Sequence, residues 1–237
     1  MAIRSTTALI KGLLLGSSFL GVLLIIFSPV FGNGKNGLEY ADDMFNKLAK
    51  GSSYFIPKVQ KDAARYAGRE FAVSVTVQKQ EERTAAILLL AQAGLQTENE
   101  EGGLRISGDF GKLLMAALND ADQAFWNRDS MIASRYGEGV QTVLPSWWQL
   151  LKSMDKALTK EKKYAEASMV TMVMKKAIEP AYNFLGIEAQ NVSERAGILT
   201  GLLVFYVVYT IWWGFAVYYL FEAVGLVMRK ARKKEEI

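Results

Sequence analysis

The chain of 237 residues contains no cysteine and no histidine, and only four prolines. Without cysteine there is no disulfide, no thiolate nucleophile, no Cys-ligated zinc or iron–sulfur cluster and no covalently attached c-type haem. Without histidine the chain lacks the commonest general base, the commonest metal ligand and the proximal ligand of most haems. The Glu-x-x-His pairs of carboxylate-bridged di-iron bundles are excluded too. Catalysis would fall to carboxylates, lysine, serine or tyrosine. The acidic pairs Glu81-Glu82, Glu100-Glu101 and Asp120-x-Asp122 have no accompanying motif and read as solvated faces. The expectation is a protein that is not an enzyme and that holds no metal or cofactor.

Charge is missing from two long stretches as well. Gly12 to Phe31 is twenty residues without a charge, and Ala196 to Phe221 is twenty-six. A helix rising ~1.5 Å per residue crosses a ~30 Å hydrocarbon core in about 20 residues, so both runs are long enough to span. Together they account for a hydrophobic content of 51% and a mean hydropathy of +0.10, values between those of a soluble domain and a polytopic membrane protein. Arg4 and Lys11 before the first run, with Val30-Phe31-Gly32 after it, also fit a cleaved signal peptide. The apolar run exceeds the ~7–15 residues of a usual signal core and no Ala-x-Ala follows it, which favours a retained span.

The formal net charge of +4 is divided informatively. Arg4 and Lys11 stand before the first run, and Arg229, Lys230, Arg232, Lys233 and Lys234 follow the second, whereas residues 33–195 hold 21 basic and 21 acidic side chains. Basic flanks are retained in the cytoplasm, so the expected layout is a bacterial inner-membrane protein with both termini cytoplasmic. Residues 1–11 form a cytoplasmic N-terminus, 12–31 the first transmembrane helix, 32–195 a periplasmic or extracellular domain, 196–228 the second transmembrane helix and 229–237 a basic cytoplasmic tail. A neutral outer domain has no basic stripe for nucleic acid.

That outer domain reads as a helical bundle, giving a mostly α fold class with two flanking spans. Leu38 to Lys50 carries an apolar stripe stopped at Gly51-Ser52-Ser53. Pro57 to about Gln96 reads as one long helix, although Phe71 to Val77 alternates with period two and is β-branched, the pattern of a strand. Thr97 to Gly103 is polar, closed by two glycines, and reads as a loop. Ser107 or Asp109 can cap a helix running from Phe110 to near Tyr136-Gly137. Ser146 and Gln149 are spaced as a capping box for the next one, with Trp147, Leu150, Leu151, Met154 and Leu158 on its apolar face. A last helix turns Val170, Val173, Met174, Ala177, Ile178 and Ala181 inward, with Pro180 kinking or dividing it. No internal repeat is evident.

The candidate interaction residues lie mainly in the spans. Gly12-x-x-x-Gly16, Ser17-x-x-x-Gly21 and Gly197-x-x-x-Gly201 have the small-residue spacing that lets helix backbones approach closely, against each other or against another chain. The second span carries Tyr206, Tyr209, Trp212 and Trp213 near mid-bilayer, where a phenol or indole seeks a polar partner that a neighbouring helix can supply. In the outer domain Phe125-Trp126 and Trp147-Trp148 set adjacent rings about 100° apart on a helix, so one of each pair points away from the core. Trp126, Trp147 and Trp148 are therefore candidates for a partner surface.

The layout of two terminal spans around an outer helical domain is similar in outline to chemoreceptor ligand domains and to the chain-length regulators of polysaccharide export, without a shared motif. The functional expectation is a non-enzymatic scaffold or accessory subunit of a membrane assembly, contacting lipid and either a second copy or another membrane protein. The competing expectation is an outer domain that senses a small-molecule ligand and signals through a partner.

Overall fold

The computed structural model describes residues 3–226 and is mostly helical. Its contacts divide it into two units, one from the chain ends up to Phe45 and from Val192 onward, the other Asn46–Asn191. The basic tail expected at 229–237, and the last two residues of the expected second span, lie outside the described residues.

The first unit contains α1 (Thr6–Phe27) and α10 (Val192–Ala223), both long and apolar enough to cross a membrane. Ser5 caps α1, its hydroxyl accepting the Ala8 N–H at 3.2 Å. The two helices run antiparallel. The Arg4 N–H donates to the Ala223 carbonyl at 2.8 Å, Gly12 lies against Leu220, and the Phe19 ring stacks on Tyr209 with centroids 4.0 Å apart. After α1 the chain turns into α2 (Gly37–Ser52), where Asn36 accepts the N–H groups of Leu38 and Glu39 while Glu39 accepts the Asn36 N–H. This reciprocal pair satisfies donors that the helix start would otherwise leave open.

In the second unit the expected bundle is corrected, because the domain is built on a three-stranded antiparallel sheet of order β1-β3-β2. β1 (Glu70–Thr76) occupies the stretch read as the middle of a long helix. The alternation wins because it has a use: Val73, Val75 and Val77 are buried while Ser74 and Thr76 are exposed. Pro57 does open a helix, but only a short one, α3 (Ile56–Ala63), which gives way through a 3₁₀ turn to Gly68 at φ +75°. The segment Thr97–Gly103, expected as a loop, is most of a hairpin: β2 (Gln96–Glu100) turns at Glu101-Gly102 into β3 (Gly103–Asp109). Its polar residues pair as an exposed edge strand, which needs no apolar face.

Asp109 caps α5 (Phe110–Phe125), accepting the N–H groups of Gly111 at 2.8 Å and Lys112 at 3.2 Å. Phe110, Leu114, Ala117, Ala121 and Phe125, at three- and four-residue spacing, are buried, whereas Arg128, which continues that spacing, is exposed beyond the helix end; α5 is the centre of the core. The helix stops at Phe125 instead of running to Tyr136, because Asn127 takes φ +54°, and α6 (Asp129–Tyr136) follows separately. α7 (Val140–Lys160) starts before the expected capping box and carries Pro145 inside it, so Ser146 donates back to the Thr142 carbonyl at 2.7 Å rather than capping. α8 (Tyr164–Val173) passes through a π turn, Met174–Ile178, into α9 (Glu179–Asn183). The wide turn precedes Pro180, whose missing N–H removes one α-type bond there. The inward set from Val170 to Ala181 is buried throughout. Between β1 and β2, α4 (Gln80–Gln92) packs Ala86, Leu89 and Leu90 into the same core.

Candidate functional site

Of the small residues singled out in the spans, Gly12 is the one at the seam. A Cβ there would lie 2.9 Å from the Leu220 backbone nitrogen and side chain, so only glycine lets α1 and α10 approach this closely. Gly16, Gly21, Gly197 and Gly201 have no neighbouring atom within reach of a Cβ, and Ser17 is exposed. The small-residue pattern on α10 is therefore not spent on α1.

The aromatic residues of α10 divide the same way. Tyr209 stacks on Phe19 and brings its hydroxyl to 3.5 Å from the Phe19 carbonyl, and Trp213 meets the same ring at 4.7 Å. Tyr206 is 67% exposed, and Trp213 keeps much of its ring uncovered. The Trp212 indole nitrogen is buried and has no acceptor among the described residues. Trp212 lines a shallow trough of about 450 Å³ with Leu15, Val208, Ile211, Phe215 and Tyr219, a surface of rings and branched chains with no charge.

In the folded domain Trp147 is not a surface residue, which corrects the expectation for it. It is fully buried, and its indole N–H donates to the Asp120 carboxylate at 2.8 Å. Asp120, expected on a solvated face, is itself fully buried and also accepts from the Tyr136 hydroxyl and the Arg135 guanidinium. Burial pushes the Asp120 carboxyl up, against the bonds from Tyr136 and Trp147 and the Arg135 charge, which hold it down. Trp126 and Trp148 do turn outward. Trp126 is 43% exposed beside Tyr54, and the half-buried Trp148 donates to Glu179 at 3.1 Å while the Lys152 ammonium sits 4.3 Å from its ring centre.

Two features had no clear sequence signal. Lys50 is fully buried near the end of α2, and its amine donates to Asn127 Oδ1 at 3.2 Å and to the carbonyls of Phe184 and Ile187. The Gln190 N–H donates to the Lys47 carbonyl at 3.1 Å, so the first and last segments of the domain are tied together. Burial lowers the Lys50 pKa, with Asp129 opposing. The second feature is a groove of about 550 Å³ between β1 and α7, with Ser74, Thr76, Gln78 and Lys79 along one wall and Gln149, Ser153, Lys156 and Lys160 along the other.

Among the described residues no group of three or more carboxylates is placed to hold a metal ion. No family model matches the chain, and neither the curated proteins nor the solved structures supply a match.

Proposed function

We propose that this chain is a non-enzymatic scaffold or accessory subunit of a membrane assembly, held in a bacterial inner membrane by α1 and α10, with residues 32–195 on the periplasmic or extracellular side and both chain ends in the cytoplasm. One observation carries the reading: α10 keeps Gly197, Gly201, Tyr206 and the trough around Trp212 uncovered after α1 has packed. Lipid tails satisfy apolar surface but offer no acceptor to an indole or phenol, whereas a second helix supplies both close packing and an acceptor. The antiparallel seam is consistent with the charge-based orientation, since it sets the start of α1 and the end of α10 at one end of the helix pair.

Native mass spectrometry from detergent tests this reading. A homo-oligomer or a co-purifying membrane protein is expected, and a bare monomer would count decisively against it. Topology is tested by reporters inserted near Gly102 and fused after Ile237, which should report opposite sides. A sensing role is the second reading, favoured by the Lys50 and Gln190 ties between the two ends of the domain. It requires a small metabolite to raise the melting temperature of the full chain, and a broad panel without effect would remove it.

A further inference from the structure

Among the described residues β1 is an edge strand, paired with β3 on one side and with no strand on the other. Its hydrogen bonds fix which backbone groups remain open. The Arg69 carbonyl accepts the Phe110 N–H and the Val77 N–H donates to the Gly102 carbonyl, so the odd-numbered residues exchange bonds with β3. In an antiparallel pair the alternate residues then point outward, which leaves the N–H and C=O of Ser74 and Thr76 facing away from the sheet. The Ala72 carbonyl faces the same way and is already taken, by the Lys163 ammonium at 3.2 Å.

Open edges are pairing templates, and folded proteins commonly blunt them with a bulge or a covering loop. Here the edge opens into the groove walled by α7. Lys79, Lys156 and Lys160 line it against one carboxylate, Glu82, which Lys79 already holds at 3.0 Å. Lys156 and Lys160 have no acidic partner among the described residues. From Ser74 to Gln78 the edge offers room for about five extended residues at ~3.3 Å each.

We propose that this groove binds an extended acidic segment of a partner protein by strand addition. The segment pairs with the outward backbone groups of Ser74 and Thr76, and its carboxylates meet Lys156, Lys160 and Lys79. Main-chain bonds supply the affinity and the lysines select the charge. A second copy offering its own β1 would bring lysines against lysines, so self-pairing is disfavoured. The inference rests on the scaffold reading only in assigning the segment to a partner protein.

The test uses the full chain in detergent micelles and a labelled, end-blocked hexapeptide alternating glutamate and valine, followed by fluorescence anisotropy. Saturable binding is expected, at least tenfold tighter than for the glutamine and valine version and lost for the lysine and valine version. Lys156→Glu combined with Lys160→Glu should weaken it tenfold or more, and so should Ser74→Pro, which deletes an N–H that the sheet does not use. Lys175→Glu, which is not among the residues lining the groove, should leave it unchanged. If Ser74→Pro disturbs the fold, slowed amide exchange at Ser74 and Thr76 on adding peptide to the unsubstituted chain carries the same test.

Equal binding of the glutamate and glutamine peptides would overturn the proposal, as would indifference to all the groove substitutions. Sensitivity to lysine reversal alone, matched by inorganic phosphate or phosphatidylglycerol vesicles, would make the groove an anion site and also overturn it. Should the peptide fail while a membrane protein still co-purifies, the groove assignment falls alone. Should the peptide bind to a chain that is monomeric and without a co-purifying protein, the scaffold reading falls and the groove stands.

Discussion

Asp120 and the indole nitrogen of Trp212 are both buried polar groups, and their surroundings differ in kind. Asp120, in the folded domain, accepts from three donors on α6 and α7. Lys50, in the same domain, places its amine on three acceptors. Trp212, on α10, has no acceptor among the described residues, and Tyr209 nearby holds its one at 3.5 Å. Buried polar groups in a finished structure are satisfied, because leaving one unpaired costs about 1–3 kcal/mol. The buried charges of the domain are satisfied from within, although Gln123 Oε1 there also lacks a partner among the described residues, while α10 keeps an unpaired indole and much uncovered surface after α1 has packed. Under the scaffold reading proposed above, that difference puts the association surface on α10 rather than at the α1 seam.

The largest expected effect tests the closed half of this contrast. Asp120→Ala leaves the Tyr136 hydroxyl and Trp147 indole without an acceptor inside the core, whereas Arg135, 39% exposed at its side chain, can turn to water. Removing one member of such a buried charged network costs about 3–5 kcal/mol. Urea denaturation followed by tryptophan fluorescence should show a loss of that size, and Asp120→Asn, which keeps an acceptor, should lose less. A loss below about 1 kcal/mol for the alanine variant would mean that the network is not what fixes α6 and α7 on α5.

The two long apolar helices, the Asp109 cap and the inward set from Val170 to Ala181 were legible because local signals and tertiary structure agree there. Charge-free length, a capping side chain and helical spacing each act within a few residues. β1 was misread because its neighbours are strong helix formers, and the deciding partner, β3, lies some thirty positions further on. β2 was misread because an edge strand can be wholly polar. That one ring of each aromatic pair turns outward was legible from the 100° helical step, and the apolar face with Leu150, Leu151, Met154 and Leu158 already set Trp147 inward; what no local pattern announces is the burial of Asp120, the acceptor its indole uses. The groove was invisible for the same reason as the sheet, since it exists only once β1 and α7 are side by side.

A smaller effect separates the spent face of the hairpin from the unspent one. Gly12→Leu forces a side chain into the Leu220 backbone, and overpacking of this kind costs about 1–3 kcal/mol. Gly197→Leu meets nothing in its own chain. Because the chain has no cysteine, Arg4→Cys with Ala223→Cys gives a clean disulfide reporter of the seam that their backbones already bridge. Gly12→Leu should lower the cross-linked fraction of the monomer. Gly197→Leu should leave that fraction alone and reduce any oligomer seen by native mass spectrometry. The opposite pattern would place self-packing and partner-packing on the reverse faces from those argued here.

The smallest effect is a pH dependence inside the domain. Burial raises the Tyr136 pKa well above its usual 10.0, and the bond to Asp120 raises it further, with Arg135 opposing. A group whose folded pKa is raised contributes stability that is complete below the unfolded value and is lost as pH climbs toward the folded one. Stability should therefore be indifferent to Tyr136 at neutral pH and decline above pH 10, by at most about 1.4 kcal/mol per pH unit for this single proton. Lys50 works in the other direction, because its lowered pKa makes stability rise as pH approaches 10.5, so the two overlap near pH 10. Comparing urea midpoints of the parent and of Tyr136→Phe between pH 8 and 11 separates them. The parent should lose stability more steeply than the variant above pH 10, and parallel curves would show that Tyr136 gives up its proton as readily in the folded domain as in water.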